Sequence, residues 1–166
     1  MTRFAADVST LILLAKAEIL PAVTEDYTFW ITEVVKGECL ARPTIDAQMI
    51  SAALDAGRIE LHPVGASGAI RTLRRDFALH RGEAESLELA LRRDLPLAVD
   101  DYAAIKACRV LKIPFAAAIH FLIGLKKKGR LDMKTAEARI EKLAFYGRYS
   151  SRIIQDALGR IRGEDE

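Results

Sequence analysis

Residues 82–101, GEAESLELALRRDLPLAVDD, hold the two patterns that decide the fold. In the first part, Leu87 and Ala90 follow Glu83 at helical steps, so a helix runs from Glu83 to Arg93 with Glu83 at the head of its buried stripe. In the second, Leu95 to Val99 is a short, nearly continuous apolar run, the mark of a strand covered on both faces. A helix delivered directly into such a strand is part of a βαβ unit, whose strands run parallel. The strand ends in Asp100-Asp101, which places carboxylates from two elements at one edge of the sheet.

The same alternation extends outward from this unit. Phe4-Ala5-Ala6-Asp7 reads as a buried strand ending in an acid, followed by a helix through Leu11, Ile12, Leu14 and Ala15 with Ser9 or Thr10 as its cap. The aromatic, β-branched run Tyr27 to Ile31 is a second strand, and Thr32 caps a helix from Glu33 to Ala41. Pro43-Thr44 opens a helix from Ile45 to Ala56 with Ile45, Met49, Ile50 and Ala53 as its stripe, and Gly57 ends it before a short strand, Ile59 to His62. Gly65 to Gly68 is a flexible connection, Ala69 to His80 an arginine-rich helix, and Gly82 a break before the central helix. Beyond Asp101 come a helix from Tyr102 to Leu111, a strand from Pro114 to Ala118, a helix from Ile119 to Lys128, and tail helices Met133 to Phe145 and Ser150 to Ile161. This spacing predicts an α/β fold, a three-layer α/β/α sandwich around a central, mainly parallel sheet. With no linker and no repeat, residues 1–166 read as one domain with a C-terminal helical tail over about 132–161.

Composition narrows the class. The chain is 51% hydrophobic and 29% charged with a formal net charge of +2, the balance of a globular fold with a sizeable core. So small a total leaves only local patches to meet a phosphate backbone: Arg71, Arg74, Arg75 and Arg81 before the central helix, and Lys126, Lys127, Lys128 and Arg130 later. Cys39 and Cys108 have neither disulfide nor metal spacing and read as buried free thiols of a reducing compartment. The apolar run Val8 to Ala15 is too short and too closely bracketed by charge for a signal peptide. Ile113 to Leu125, the longest uncharged run, falls short of the roughly 18 residues of a membrane span. A cytoplasmic, non-membrane protein is expected.

Helix faces sort the acids. Glu85 and Glu88 fall off the stripe that Glu83 heads, Glu88 can pair with Arg92, and both are expected in solvent. Glu38 follows Val34 and Val35 at helical steps and is expected to point inward, whereas Glu33 sits in the first turn, where an acid suits the helix dipole. An unpaired buried charge is costly. Either a distant arginine or a shared cation can compensate it. Carboxylates held near 4 Å repel by roughly 1 to 4 kcal/mol per pair, and a divalent ion reverses the sign. Hard cations such as Mg²⁺ prefer such oxygens, and His62, His80 and His120 are isolated and offer no competing cluster.

Three motifs in order resemble the PIN-domain family, the fold of VapC-type toxin ribonucleases. They are Asp7-Val-Ser9 running to Lys16, Ile31-Thr-Glu-Val-Val-Lys-Gly-Glu38, and Gly82-Glu83-Ala-Glu85 running to Asp100-Asp101. Leu111-Lys-Ile-Pro-Phe and the segment from Leu122 to Leu131 are similar to a largely uncharacterised subfamily of it, so the likeness spans nearly the whole chain. The resemblance implies hydrolysis of single-stranded RNA with Mg²⁺ or Mn²⁺, by a metal-activated water with the metal also stabilising the leaving oxygen. It implies an acidic quartet of Asp7, Glu38, Glu83 and Asp101 as catalytic residues and metal ligands, with Asp100 a fifth and Ser9 orienting Asp7 or a metal-bound water. The resemblance favours Asp101 over Asp100, because the family usually has an acid eighteen residues after the one matched by Glu83, and both aspartates are kept. It also implies a homodimer silenced by a small antitoxin. Two departures concern the substrate grip: Lys106 stands where the subfamily often has arginine, and Ala116-Ala117-Ala118 where it often has Gly-Thr.

Two other readings compete. One is a non-catalytic RNA-binding or assembly module that keeps the fold, against which the intact acid set argues. The other is an acid-rich phosphatase, which needs a second aspartate two residues after the first; here that residue is Ser9.

Overall fold

The computed structural model describes residues 1–65 and 67–164; Ala66, in the expected Gly65 to Gly68 connection, lies outside them. In chain order the elements are β1 (Thr2–Ala6), α1 (Val8–Lys16), α2 (Leu20–Val23), β2 (Tyr27–Ile31), α3 (Glu33–Cys39), α4 (Ile45–Asp55), β3 (Ile59–Leu61), α5 (Gly68–Phe77), α6 (Arg81–Arg93), β4 (Leu97–Ala98), α7 (Tyr102–Leu111), β5 (Phe115–Ala116), α8 (Ala118–Lys127), α9 (Met133–Tyr146) and α10 (Ser151–Ile161). The strands form one sheet in the order β3-β2-β1-β4-β5, and every pairing is parallel. The expected sandwich is therefore present, with a wholly parallel sheet.

Alternation along the strands divides the interior in two. Ala6, Phe29 and Ala98 face a core filled by Leu11 and Leu14 of α1, Phe121 and Leu122 of α8, and Ile140 and Ala157 of the tail helices. Ala5, Leu97 and Val99 face the other core, with Leu87 and Ala90 of α6, Ala104 and Cys108 of α7, and Leu73 of α5. Burial of these apolar side chains is the main favourable term, about 25 cal/mol per Å² removed from water. Phe121 packs edge-on against Phe4, Tyr27 and Phe29, with centroids 5.1 to 5.6 Å away, which pins α8 across β1 and β2.

Several local expectations are corrected. Asp7, not Ser9 or Thr10, caps α1, accepting from the Ser9 N–H. Gly82 does not break the chain; α6 begins at Arg81 and Gly82 lies in its first turn. Ile45 is 76% exposed. At the first helical position its side chain leans back past the helix end, and Ala47, Ile50 and Ala53 carry the buried stripe. β4 is limited to Leu97–Ala98, since Pro96 has no N–H to give a ladder. A further helix, α2, starts at Leu20-Pro21, where the sequence shows no helical period.

Candidate functional site

From β1 the chain moves outward to β2 and β3, then returns to β4 on the other side of β1. Ligands of open α/β sheets bind at the carboxyl ends of the strands where the order reverses in this way. Asp7 follows β1, and Asp100 and Asp101 follow β4. The Asp7 N–H donates to the Ala98 carbonyl at 2.9 Å, so the two strand ends are stitched together beneath the acids. Ser9 ties their side chains: its hydroxyl donates to Asp7 Oδ2 at 2.8 Å and accepts from the Asp100 N–H at 3.0 Å.

The two neighbouring aspartates have different surroundings. Asp100 Oδ2 accepts from Thr10 Oγ1 at 2.5 Å and from the Ala118 N–H at 3.0 Å, while Oδ1 accepts from the Tyr149 hydroxyl. Both oxygens are thus occupied by donors from α1, α8 and the loop before α10. Burial still pushes the Asp100 carboxyl above the ordinary range, against those hydrogen bonds. Asp101 caps α7, with Oδ2 accepting from the Ala104 N–H at 3.0 Å, and among the described residues no donor reaches its other oxygen.

Three more acids face this edge. Asp7 is 3% exposed and forms no ion pair among the described residues. Burial raises its pKa, opposed by the Ser9 hydrogen bonds, and the charge of Asp101 raises it further. Glu83 is half-buried. Its Oε2 accepts from the His80 N–H at 2.9 Å, and its pKa is raised by burial first and then by Asp101 and Asp7. No arginine pairs with it among the described residues. Glu38 departs from expectation: as a residue it is exposed, because α3 buries Val35 and Cys39 and leaves Glu38 on the flank. Its carboxylate nonetheless leans over α6, so that a Cβ built on Gly82 would lie 2.6 Å from Glu38 Oε1. Desolvation raises its pKa, and the Asp7 and Glu85 charges add to this. The neighbouring Cys39 thiol is pushed up to about 12 by burial with help from Asp7 and Glu38, so it is inert.

Glu85 and Glu88 are corrected outright. Both are 6% exposed. Most of α6 is covered, from Gly82 through Ala90, so the middle of the helix has no solvent face. Each glutamate is neutralised one turn away at the rim: Glu85 by Arg81 at 2.8 Å, and Glu88 by Arg92. Ser86, on the same helix, donates to the Gly82 and Ala6 carbonyls at 2.8 and 3.3 Å and binds α6 to the end of β1.

The acids converge without closing. Among the described residues, no three carboxylate, histidine or cysteine side chains are grouped closely enough to hold one ion as they stand. The hydrogen bonds explain why, since Asp7, Glu83 and Asp101 each turn an oxygen toward a backbone N–H of their own helix start.

A cleft of about 460 Å³ opens beside the acids at the ends of β2 and β3, bordered by Thr32, Arg71, Arg74, Arg81 and Glu85. The first basic patch of the sequence therefore lies next to the acids. Half of the second is committed elsewhere: Arg130 pairs with Glu25 and Asp26, and Lys128 with Asp26, near the start of β2 at the opposite edge of the sheet.

A family model described as DUF3368: PIN domain matches residues 3–162. The chain belongs to the PIN-domain family. No curated protein and no solved structure matches it. PIN domains are in general nucleases that use divalent metals, and the surroundings of the acids in this PIN domain suit such an ion. The donors are carboxylate oxygens, which hard cations prefer, and Asp7 is a buried carboxylate with no cationic side chain against it among the described residues. No helix of the described residues is long and apolar enough to cross a membrane.

Reading the sequence missed Thr10 and Tyr149 as supports of this PIN domain's acidic edge. Thr10 is 90 positions from Asp100 and Tyr149 is 49, and neither sits in a local pattern that points there. Glu85 was legible in principle. A thirteen-residue helix beside a doubly covered strand has little solvent face to offer.

Proposed function

We propose that this PIN domain is a metal-dependent endoribonuclease that cleaves phosphodiester bonds of single-stranded RNA. The observation that carries this reading is the un-neutralised Asp7, 3% exposed, at the strand-order reversal, with Asp101 close enough to perturb it. Asp7, Glu38, Glu83 and Asp101 would hold Mg²⁺ or Mn²⁺, and Ser9 fixes the Asp7 carboxylate. Asp100, with both oxygens filled, orients the edge rather than ligating. The ion supplies activation of the attacking water and charge stabilisation at the leaving oxygen. Arg71 and Arg74 would grip the phosphates that flank the scissile bond, while Arg81 stays on Glu85.

We further propose that the protein is the toxin of a toxin–antitoxin pair, a homodimer held silent by a small antitoxin that covers the acids. Exposed Tyr102, Val110, Phe145 and Tyr146 supply apolar surface for such contacts. A second reading, a non-catalytic RNA-binding module, is favoured by one observation: among the described residues, no three acids are grouped for an ion as they stand.

Incubation with mixed RNA substrates, in Mn²⁺ or EDTA, separates the two. Cleavage is expected in Mn²⁺ only, and is lost in Asp7→Asn and Glu83→Gln. Cleavage that survives both substitutions sinks the acidic mechanism. RNA binding without cleavage at any metal concentration supports the module. A small protein encoded beside this gene, and a dimer by light scattering, test the toxin reading.

A further inference from the structure

A second cleft, of about 510 Å³, lies at the same carboxyl edge beyond the acids, at the end of β5. Its apolar wall is Ile105, Phe115, Ile119 and Ile153, and its cations are the exposed Arg109 and Arg148. Among the described residues neither arginine is ion-paired, in contrast to Arg81, Arg92, Arg130, Arg139, Arg160 and Arg162. The two acids that border the cleft are already committed. Asp156 pairs with Arg160 at 2.9 Å, and both Asp100 oxygens take donors from Thr10, Ala118 and Tyr149. The Arg109 guanidinium lies over the Phe115 ring, 5.7 Å from its centroid, which sets a planar cation against an aromatic ring. His120 accepts the Ala117 N–H on Nδ1, so its Nε2–H is a neutral donor.

A planar cation on an aromatic ring, an aliphatic wall and an unpaired arginine match a nucleobase carried with its phosphate, because bases stack on guanidinium planes and aromatic faces. Position agrees with chemistry. Five parallel strands spaced about 4.8 Å apart span roughly 19 Å from β3 to β5. Along that line the arginine cleft, the acids and this second cleft follow one another. We propose that the cleft at the end of β5 binds one nucleotide of the single-stranded RNA whose neighbouring bond lies over the acids, with its base on the Arg109–Phe115 surface and its phosphate on Arg148. This rests on the ribonuclease reading for the identity of the strand.

The test uses the full chain carrying Asp7→Asn, in EDTA, with a fluorescein-labelled single-stranded RNA of about twelve nucleotides, sized to the sites of single-strand binders. Affinity is measured across salt concentrations. Adding Arg148→Ala should weaken binding and lower the slope of log affinity against log salt by about 0.7, one phosphate contact on a single strand. Adding Arg109→Lys keeps the charge but loses the plane, so affinity should fall at least about fivefold with the slope unchanged. Lys134→Ala, on α9, should do neither. If the parent binds RNA and both arginine variants bind it equally well, the nucleotide subsite is refuted while the ribonuclease reading stands. If the variants weaken binding but wild type with Mn²⁺ cleaves nothing, the subsite stands and the ribonuclease reading fails. A dimer that Ile153→Asp dissociates without loss of RNA affinity assigns the cleft to a second copy of the chain and overturns the proposal.

Discussion

Gly82→Ala separates the stability of this protein from its chemistry. The new Cβ would lie 2.6 Å from Glu38 Oε1 and 3.1 Å from its Cδ, against an ordinary contact of at least 3.4 Å. The carboxylate must therefore retreat by 3.4 − 2.6, about 0.8 Å. The obstacle is the tip of an exposed side chain, so the backbone has no reason to move. Alanine also suits a helical turn better than glycine, by up to about 1 kcal/mol. Urea unfolding should thus show unchanged or slightly greater stability. Function should move the other way, because a displacement near 1 Å at a reacting centre costs about 10²-fold in rate. Mn²⁺-dependent cleavage of RNA should fall by roughly that factor, and the thermal stabilisation that Mn²⁺ gives the wild type should shrink. A variant that cleaves at the wild-type rate would remove Glu38 from the site. A variant that unfolds several kcal/mol more easily would show that the backbone, not the side chain, has yielded.

Four further outcomes follow from the same contacts. Arg81→Ala strands the buried Glu85 carboxylate and should cost about 1 to 3 kcal/mol, discounted for the exposure of Arg81; recovery in Mn²⁺ but not in added NaCl would place Glu85 within reach of the ion. Tyr149→Phe removes a hydrogen bond to a carboxylate and should lower unfolding free energy by about 1.5 to 3 kcal/mol, with Mn²⁺ affinity reduced as Asp100 loosens. Asp7 holds its proton more tightly folded than unfolded, so folded wild-type protein loses stability as pH climbs from the ordinary value of 3.8 through the raised one. Asp7→Asn keeps the helix cap and should flatten that decline in thermal melts without metal; an unchanged pH profile would contradict the burial of an ionised Asp7. Finally, Arg71→Ala with Arg74→Ala should weaken RNA binding and its salt dependence, whereas Lys128→Ala with Arg130→Ala should leave both unchanged, since those side chains are already paired.

Sequence legibility followed the range of the interactions concerned. The Leu95 to Val99 run announced a doubly covered strand because burial on both faces writes itself into consecutive residues, and Tyr27 to Ile31 showed itself as a strand by its aromatic and β-branched residues. Thr32 was readable as a cap and Pro43-Thr44 as a helix start, and Thr32 and Thr44 each accept an N–H three residues on. Asp7 and Asp101 could be placed at the carboxyl edge of the sheet because strand ends fix them there. What failed was anything decided between elements. The periodicity of α6 separates one stripe from another but is silent on α3, α5 and α7 packing around it, so Glu85 and Glu88 looked solvated. Likewise Glu38 follows the apolar residues of α3, yet a seven-residue helix lying on an edge can leave such a position exposed. The three donors that fill Asp100 come from residues 10, 118 and 149, and no local pattern joins them.

Tyr149 has a consequence for how the protein is made. A nascent chain that has just extruded Asp101 already contains every acid of the quartet, but Asp100 Oδ1 lacks the phenol that holds it. That phenol lies 49 residues after Asp100, and the nearby tail helix α9 brings Arg139 and Lys142 back to Glu18 at the end of α1 over more than 120 residues. Synthesis order therefore acts as a timer on the acidic edge. A chain released before residue 149 carries its acids on an edge not yet strapped in place.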